Sequence, residues 1–110
     1  MGQSATGTKE YRIITDGNTN PADDFWHPGG ELQVTRKDDA ATTAGTTKLQ
    51  FDLPKGTGDY DDINDGVNTT EMTESSIKRV FVGPCRIRIN TAGLADGGVN
   101  ITLTSIPTGG

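Results

Sequence analysis

In 110 residues the chain has one cysteine, one histidine and one tryptophan. The lone Cys85 excludes an intrachain disulfide and suits synthesis in a reducing cytoplasm. With His27 as its only imidazole, the chain has few ways to build a transition-metal site or a proton relay. No run of 18 or more apolar residues occurs, so no segment reads as a membrane-spanning helix. The first eight residues (MGQSATGT) lack the charged and apolar regions of a secretory signal. Ten basic residues face 15 acidic ones, a net charge of −5, which argues against a nucleic-acid binder. Apolar residues make up only 31% of the chain, enough for a thin two-sheet core and too little for a thick one. A small core is marginal alone, so association with other copies is expected.

Threonine and glycine are what the chain has in abundance, 17 and 15 residues respectively. Threonine suits pleated, half-exposed strand surfaces, and glycine supplies the turns between them. Helical spacing of apolar residues is missing, and alternation with a period of two recurs. It predicts strands over 10–15 (EYRIIT), 31–36 (ELQVTR), 46–53 (TTKLQFDL), 77–82 (IKRVFV), 85–90 (CRIRIN) and 99–106 (VNITLTSI). The strands at 31–36 and 46–53 are expected to form an antiparallel hairpin across a nine-residue polar connector. Residues 16–30 carry turn chemistry around Phe25-Trp26-His27, and 54–76 is a long stretch without a convincing element, with room for a short strand or helical turn near Ile63 to Met72. The expected fold is all-β: an antiparallel β-sandwich or small jelly-roll-like barrel. It would run from 10 to 106, with a flexible N-terminal arm at 1–9 and a tail at 107–110.

Few constellations could carry chemistry. The acidic loop at 59–65 offers carboxylates to a hard cation, but EF-hand spacing fails, because Ile63 and Met72 fall at ligand positions. The expected cofactor complement is none, with calcium at this loop as the minor alternative. Asp23, Asp24 and His27 make only a weak metal pattern, and His27 reads as a loop residue. Cys85 shares a face with Ile87 and Ile89 and reads as a buried thiol rather than a nucleophile. No nucleophile elbow or phosphate-cradling glycine loop occurs, and an enzyme is not expected. The interface candidates are Phe25 and Trp26, as a plug over one end of the sandwich or an anchor into a neighbour, and the pair Arg86 and Arg88. These arginines share a strand face and could meet an acidic patch on another copy, with Asp61 and Asp62 supplying the carboxylates.

The segments 29–36 (GGELQVTR), 47–54 (TKLQFDLP) and 93–102 (GLADGGVNIT) resemble small β-rich virion proteins of tailed bacteriophages. The resemblance is one of style across most of the chain and transfers no functional residue. It implies a non-enzymatic virion structural protein, assembled in the host cytoplasm, that self-associates and decorates or cements a capsid or tail lattice. Its partners would be copies of itself, a trimer being one such form, and a major capsid or tail protein, with neither nucleic acid nor membrane. The alternative is a host-surface recognition module of fibre or knob type, binding a glycan or receptor through exposed aromatics such as Trp26 and Tyr60.

Overall fold

The computed structural model describes residues 7–20, 23–53, 58–63 and 70–106, and these hold ten strands and no α-helix. In chain order the strands are β1 (Thr8–Ile13), β2 (Gly17–Asn18), β3 (Phe25–His27), β4 (Gly30–Asp38) and β5 (Thr46–Asp52). They continue as β6 (Asp61–Asp62), β7 (Glu71–Met72), β8 (Ser76–Val82), β9 (Cys85–Ala92) and β10 (Val99–Ile106). All pairings are antiparallel. One sheet runs β1–β10–β4–β8. In the other, β9 and β5 are central; β2 and β3 share the free side of β9, while β6 and β7 share that of β5. The two sheets form a β-sandwich.

Alternation decides which side chains lie between the sheets, because successive side chains of a strand point to opposite faces. From β4 come Leu32 and Val34; from β10, Val99, Ile101 and Leu103; from β9, Cys85, Ile87 and Ile89; from β5, Leu49, all buried. Tyr11, Phe25, Ile63, Met72 and Val80 complete the core. Each large apolar side chain so buried stabilises the fold by roughly 1.5–3 kcal/mol. The opposite parity is threonine-rich, as expected: Thr102 and Thr104 of β10 lie across from Thr35 and Gln33 of β4.

The expected hairpin of 31–36 with 46–53 does not form. β4 pairs with β10 and β8 in one sheet, while β5 pairs with β9 in the other. The connector therefore crosses between layers instead of turning within one. It can do so because Arg36 continues the inward row of Leu32 and Val34 and reaches across to the start of β5. Residues 16–30 are not all loop either, since β2 and β3 both pair with β9. β1 begins at Thr8, so the last two residues of the expected arm belong to the sheet, whereas 1–6 and 107–110 lie outside the described residues.

Register gives the sandwich two unlike ends. At one end β4, β9 and β1 finish and β5, β8 and β10 begin. This end is closed by the fully buried Arg36. Its Nε donates to Asp38 at 2.7 Å, and its two terminal nitrogens donate to the carbonyls of Gly45 (2.8 Å), Met72 (2.7 Å) and Ala44 (3.1 Å). Gly45 sits at φ +96°, and a Cβ there would come within 2.8 Å of the Ala92 carbonyl, so only glycine brings its own carbonyl to Arg36. Arg12 donates to both Asp39 oxygens at 2.6 and 2.5 Å, and Gly98 N–H adds a third bond at 3.0 Å. Asp16 accepts from the N–H groups of Gly93 and Leu94 at 2.9 and 3.0 Å. Arg36, Asp38, Asp39 and Asp16 thus all have partners at this end.

Candidate assembly surface

At the opposite end β4 begins at Gly30, β5 and β8 finish at Asp52 and Val82, and β9 begins at Cys85. The nearest polar device here is His27, which alternation in β3 places inward beside Phe25. His27 is therefore a fully buried strand residue and not a loop residue. Its Nε2–H donates to the Gly30 carbonyl at 3.1 Å, which leaves Nδ1 to accept from the Ser105 hydroxyl at 2.7 Å. This ties β3 of one sheet to β10 of the other. The Ser–His contact has the length of a nucleophile–base pair, but both residues are buried and both ring nitrogens are engaged. Cys85, the register neighbour of His27, is also buried, and desolvation pushes its thiol up to about 11. A thiol held there stays protonated and unreactive at neutral pH.

Beyond these residues the end stays open among the described residues. Phe51, Leu53, Ile63, Val82, Pro84 and Cys85 line a groove of about 590 Å³, with Asp61 and Asp62 also on its wall. Leu53, at the parity of Leu49 and Phe51, is 64% exposed where β5 has ended. Among the described residues the adjoining β8 is an edge strand paired only to β4. Its sequence SIKRVFV carries apolar residues at both parities. Val80 takes the core, leaving Ile77 63% and Phe81 72% exposed on the outer face. That double parity was readable in the sequence and is the signal that would have singled out β8. The groove was not readable, because it depends on which strands end together.

The outer face of the second sheet gathers four of the six interface candidates. Trp26 lies opposite Arg86, Arg86 opposite Asp52, Arg88 opposite Gln50, and Gln50 opposite Asp62. Arg86 pairs with Asp52 at 2.5 Å, and Arg88 donates to Gln50 at 2.7 Å. Asp62 accepts from Gln50 at 2.9 Å and lies 3.6 Å from Lys48. Tyr60 lies over this row, its ring 4.3 Å from the Arg88 guanidinium and 5.9 Å from that of Arg86, and its hydroxyl donates to Asp24. Burial, then the Asp24 bond, pushes that phenol up to about 12, so it remains a donor. Burial opposes ionisation of Asp52, but the N–H groups of Gly58 and Leu53 together with Arg86 outweigh it and hold the carboxyl below its usual range. Where the sequence suggested carboxylates from another copy, the chain supplies its own to Arg86. Trp26 stays 49% exposed at the edge of this row, whereas Phe25 is buried against Gly7.

Asp61 stands apart from that row, in register with Phe51 at the groove. Of the acidic loop at 59–65, residues 64 and 65 lie outside the described residues. Among the described residues, no group of three or more His, Cys, Asp or Glu side chains gathers as a metal site. Likewise no helix among them is long and apolar enough to cross a membrane.

No protein-family model matches the chain, and no curated protein matches its sequence. Among solved structures it is similar to the SPBc2 prophage-derived protein YomS, with a TM-score of 0.58 at 9% identity, over 94% of this chain and 96% of that one. A fainter likeness, TM-score 0.42 at 15% identity over 94% and 87%, links it to a chain of the acidic stable capsid structure of Helicobacter pylori bacteriophage KHP30. At such identities a likeness speaks to the fold, and the second is too distant to argue from. The sandwich is thus a fold that a prophage-derived protein also uses.

Proposed function

We propose that the chain is a non-enzymatic structural protein of a phage particle, one that self-associates and decorates or cements a capsid or tail lattice. The observation that carries this reading is the open end: a groove with apolar walls beside an edge strand whose Phe81 projects there, with Ile77 exposed on the same outer face nearer the closed end. Isolated exposed apolar residues need no explanation, but two on one face of an edge strand beside such a groove mark an interaction site. The prophage-derived neighbour in fold supports the phage setting. The strand orders β1–β10–β4–β8 and β2/β3–β9–β5–β6/β7, with the chain alternating between layers, support reading the sandwich as a jelly roll, an architecture used by viral capsid and lectin domains alike. The test is co-purification with particles together with mass in solution. The expected result is a particle-bound protein that is oligomeric when free. A monomer never found with particles would defeat the reading.

A second reading, recognition of a host-surface glycan, draws on Trp26 and Tyr60 lying on one outer face beside Arg86 and Arg88. An aromatic ring among planar polar groups can stack on a sugar. Glycan binding that Trp26→Ala abolishes would place this reading ahead of the first.

A further inference from the structure

We infer that two copies of this chain associate about a two-fold axis at the open end, the Phe81 ring of each seated in the groove of the other. The inference rests on the self-association proposed above and gives it a geometry. Phe81 is the most exposed large apolar residue among those described, at 72%. The next residues along the chain, Val82, Gly83 and Pro84, are themselves walls of the groove. A projecting side chain and a receiving cleft this close in the chain cannot serve each other within one molecule, because the short backbone between them fixes Phe81 on the outer face. A symmetric pairing lets both be filled at once, since an isologous interface brings the same patch of each subunit against its counterpart. At about 590 Å³ the groove lies within the range of cavities that hold small ligands, and its lining is mainly apolar, as a buried aromatic anchor requires.

Charge points the same way. Arg79 and Lys78 lie two and three residues before Phe81, and Asp61 and Asp62 lie on the groove wall; Arg79 is paired with Glu31 and Asp62 with Lys48 in the same chain. Neither Lys78 nor Asp61 has an ion-pair partner among the described residues. In the paired arrangement the basic flank of each Phe81 approaches the acidic wall of the other copy. Strand addition along β8 is the rival geometry, and Lys78 opposes it. Lys78 falls at the inward parity of Val80 yet is exposed, and an inward charge on an edge strand guards that strand against pairing with another. Side-chain insertion avoids this obstacle.

The experiment is sedimentation velocity on the full chain over a concentration series, for the wild type and Phe81→Ser, joined to oxidative cross-linking of mixed Phe81→Cys and Leu53→Cys chains. Thermal unfolding checks that each variant folds. We expect a wild-type dimer, a rise of at least about 30-fold in its dissociation constant for Phe81→Ser, and a mixed disulfide that accumulates ahead of the Phe81→Cys homodimer. A wild-type oligomer that Phe81→Ser leaves intact, one of three chains, or faster Phe81→Cys homodimer formation would overturn the groove contact while self-association stands. A wild type that stays monomeric at its solubility limit would remove self-association and this contact together.

Discussion

At the end where β4 finishes and β5 begins, a buried arginine gathers three backbone carbonyls and a carboxylate, and a surface ion pair, Arg12 with Asp39, latches the loop beside it. At the other end His27 bonds Ser105 across the sheets, and Asp52 holds Arg86 and the N–H groups of Leu53 and Gly58. Leu53 and Phe81 nonetheless stay exposed beside a groove walled by Val82 and Pro84. Both ends face one problem: a sandwich of two short sheets exposes its interior wherever strands stop. The closed end solves it within the chain, with Arg36 bonding the carboxylate and backbone carbonyls around it. The open end leaves the interior showing, which costs solubility unless something covers it. The difference separates a stabilising feature from an interacting one, so changes at the two ends should be read by different instruments.

The largest effect is expected at the closed end. Arg36→Ala removes the charge from a buried pair, leaving Asp38 and the carbonyls of Ala44, Gly45 and Met72 without their donor. Breaking a buried pair in this way costs about 3–5 kcal/mol. Urea unfolding should therefore show a lower midpoint, with association per folded chain unchanged. A loss under about 1 kcal/mol would mean that the end is not held by this cluster.

Gly45→Ala should come next. The substitution forces a Cβ onto φ +96° and against the Ala92 carbonyl at 2.8 Å, and strain of this kind costs about 1–3 kcal/mol. Since Gly45 also presents its carbonyl to Arg36, the two substitutions share a partner and should not add. A double variant losing the full sum would show Gly45 acting independently of the arginine.

Sequence made one end far more legible than the other. Alternation in 99–106 and 85–90 set their inward faces correctly, and Arg36 stood in plain view on the parity of Leu32 and Val34. What that arginine would bond to was not visible, because Met72 comes from a stretch with no clear pattern and Gly45 contributes only backbone. The hairpin expectation failed for a related reason: two alternating strands with a polar connector look alike whether they pair in one sheet or cross between two. His27 lies in a strand of three residues, too few to show a period in the sequence. The candidates Trp26, Arg86, Arg88 and Asp62 converged because all lie at outward parity on one sheet, whereas the groove depends on where neighbouring strands stop, which no local pattern records.

A subtler contrast concerns acid. Hydrogen bonding to Arg12, reinforced by the Gly98 N–H, lowers the Asp39 carboxyl from 3.8 to about 2. A carboxylate depressed on folding contributes stability that is complete above its unfolded value and is lost as pH falls through the folded one. This closed-end latch should therefore loosen between about pH 4 and pH 2, and Asp39→Asn should flatten the fall in stability across that window. The pair is exposed, so the change should be small and should shrink further in salt. An unchanged slope would show that the latch contributes nothing to acid unfolding.

Phe81→Ser should change the stability of the isolated chain least, within about 0.5 kcal/mol, because a ring 72% exposed has little burial to lose. The comparison has to be made at high dilution. A wild type that associates through Phe81 is stabilised by mass action, so its unfolding temperature should climb with protein concentration while that of the variant stays flat. The two curves should converge as concentration falls. Converging curves place the value of Phe81 in the contact and keep the open end distinct from the closed one. A gap that persists on dilution would mean that the ring supports its own fold, and the contrast between the two ends would then fail at the residue that defines it most sharply.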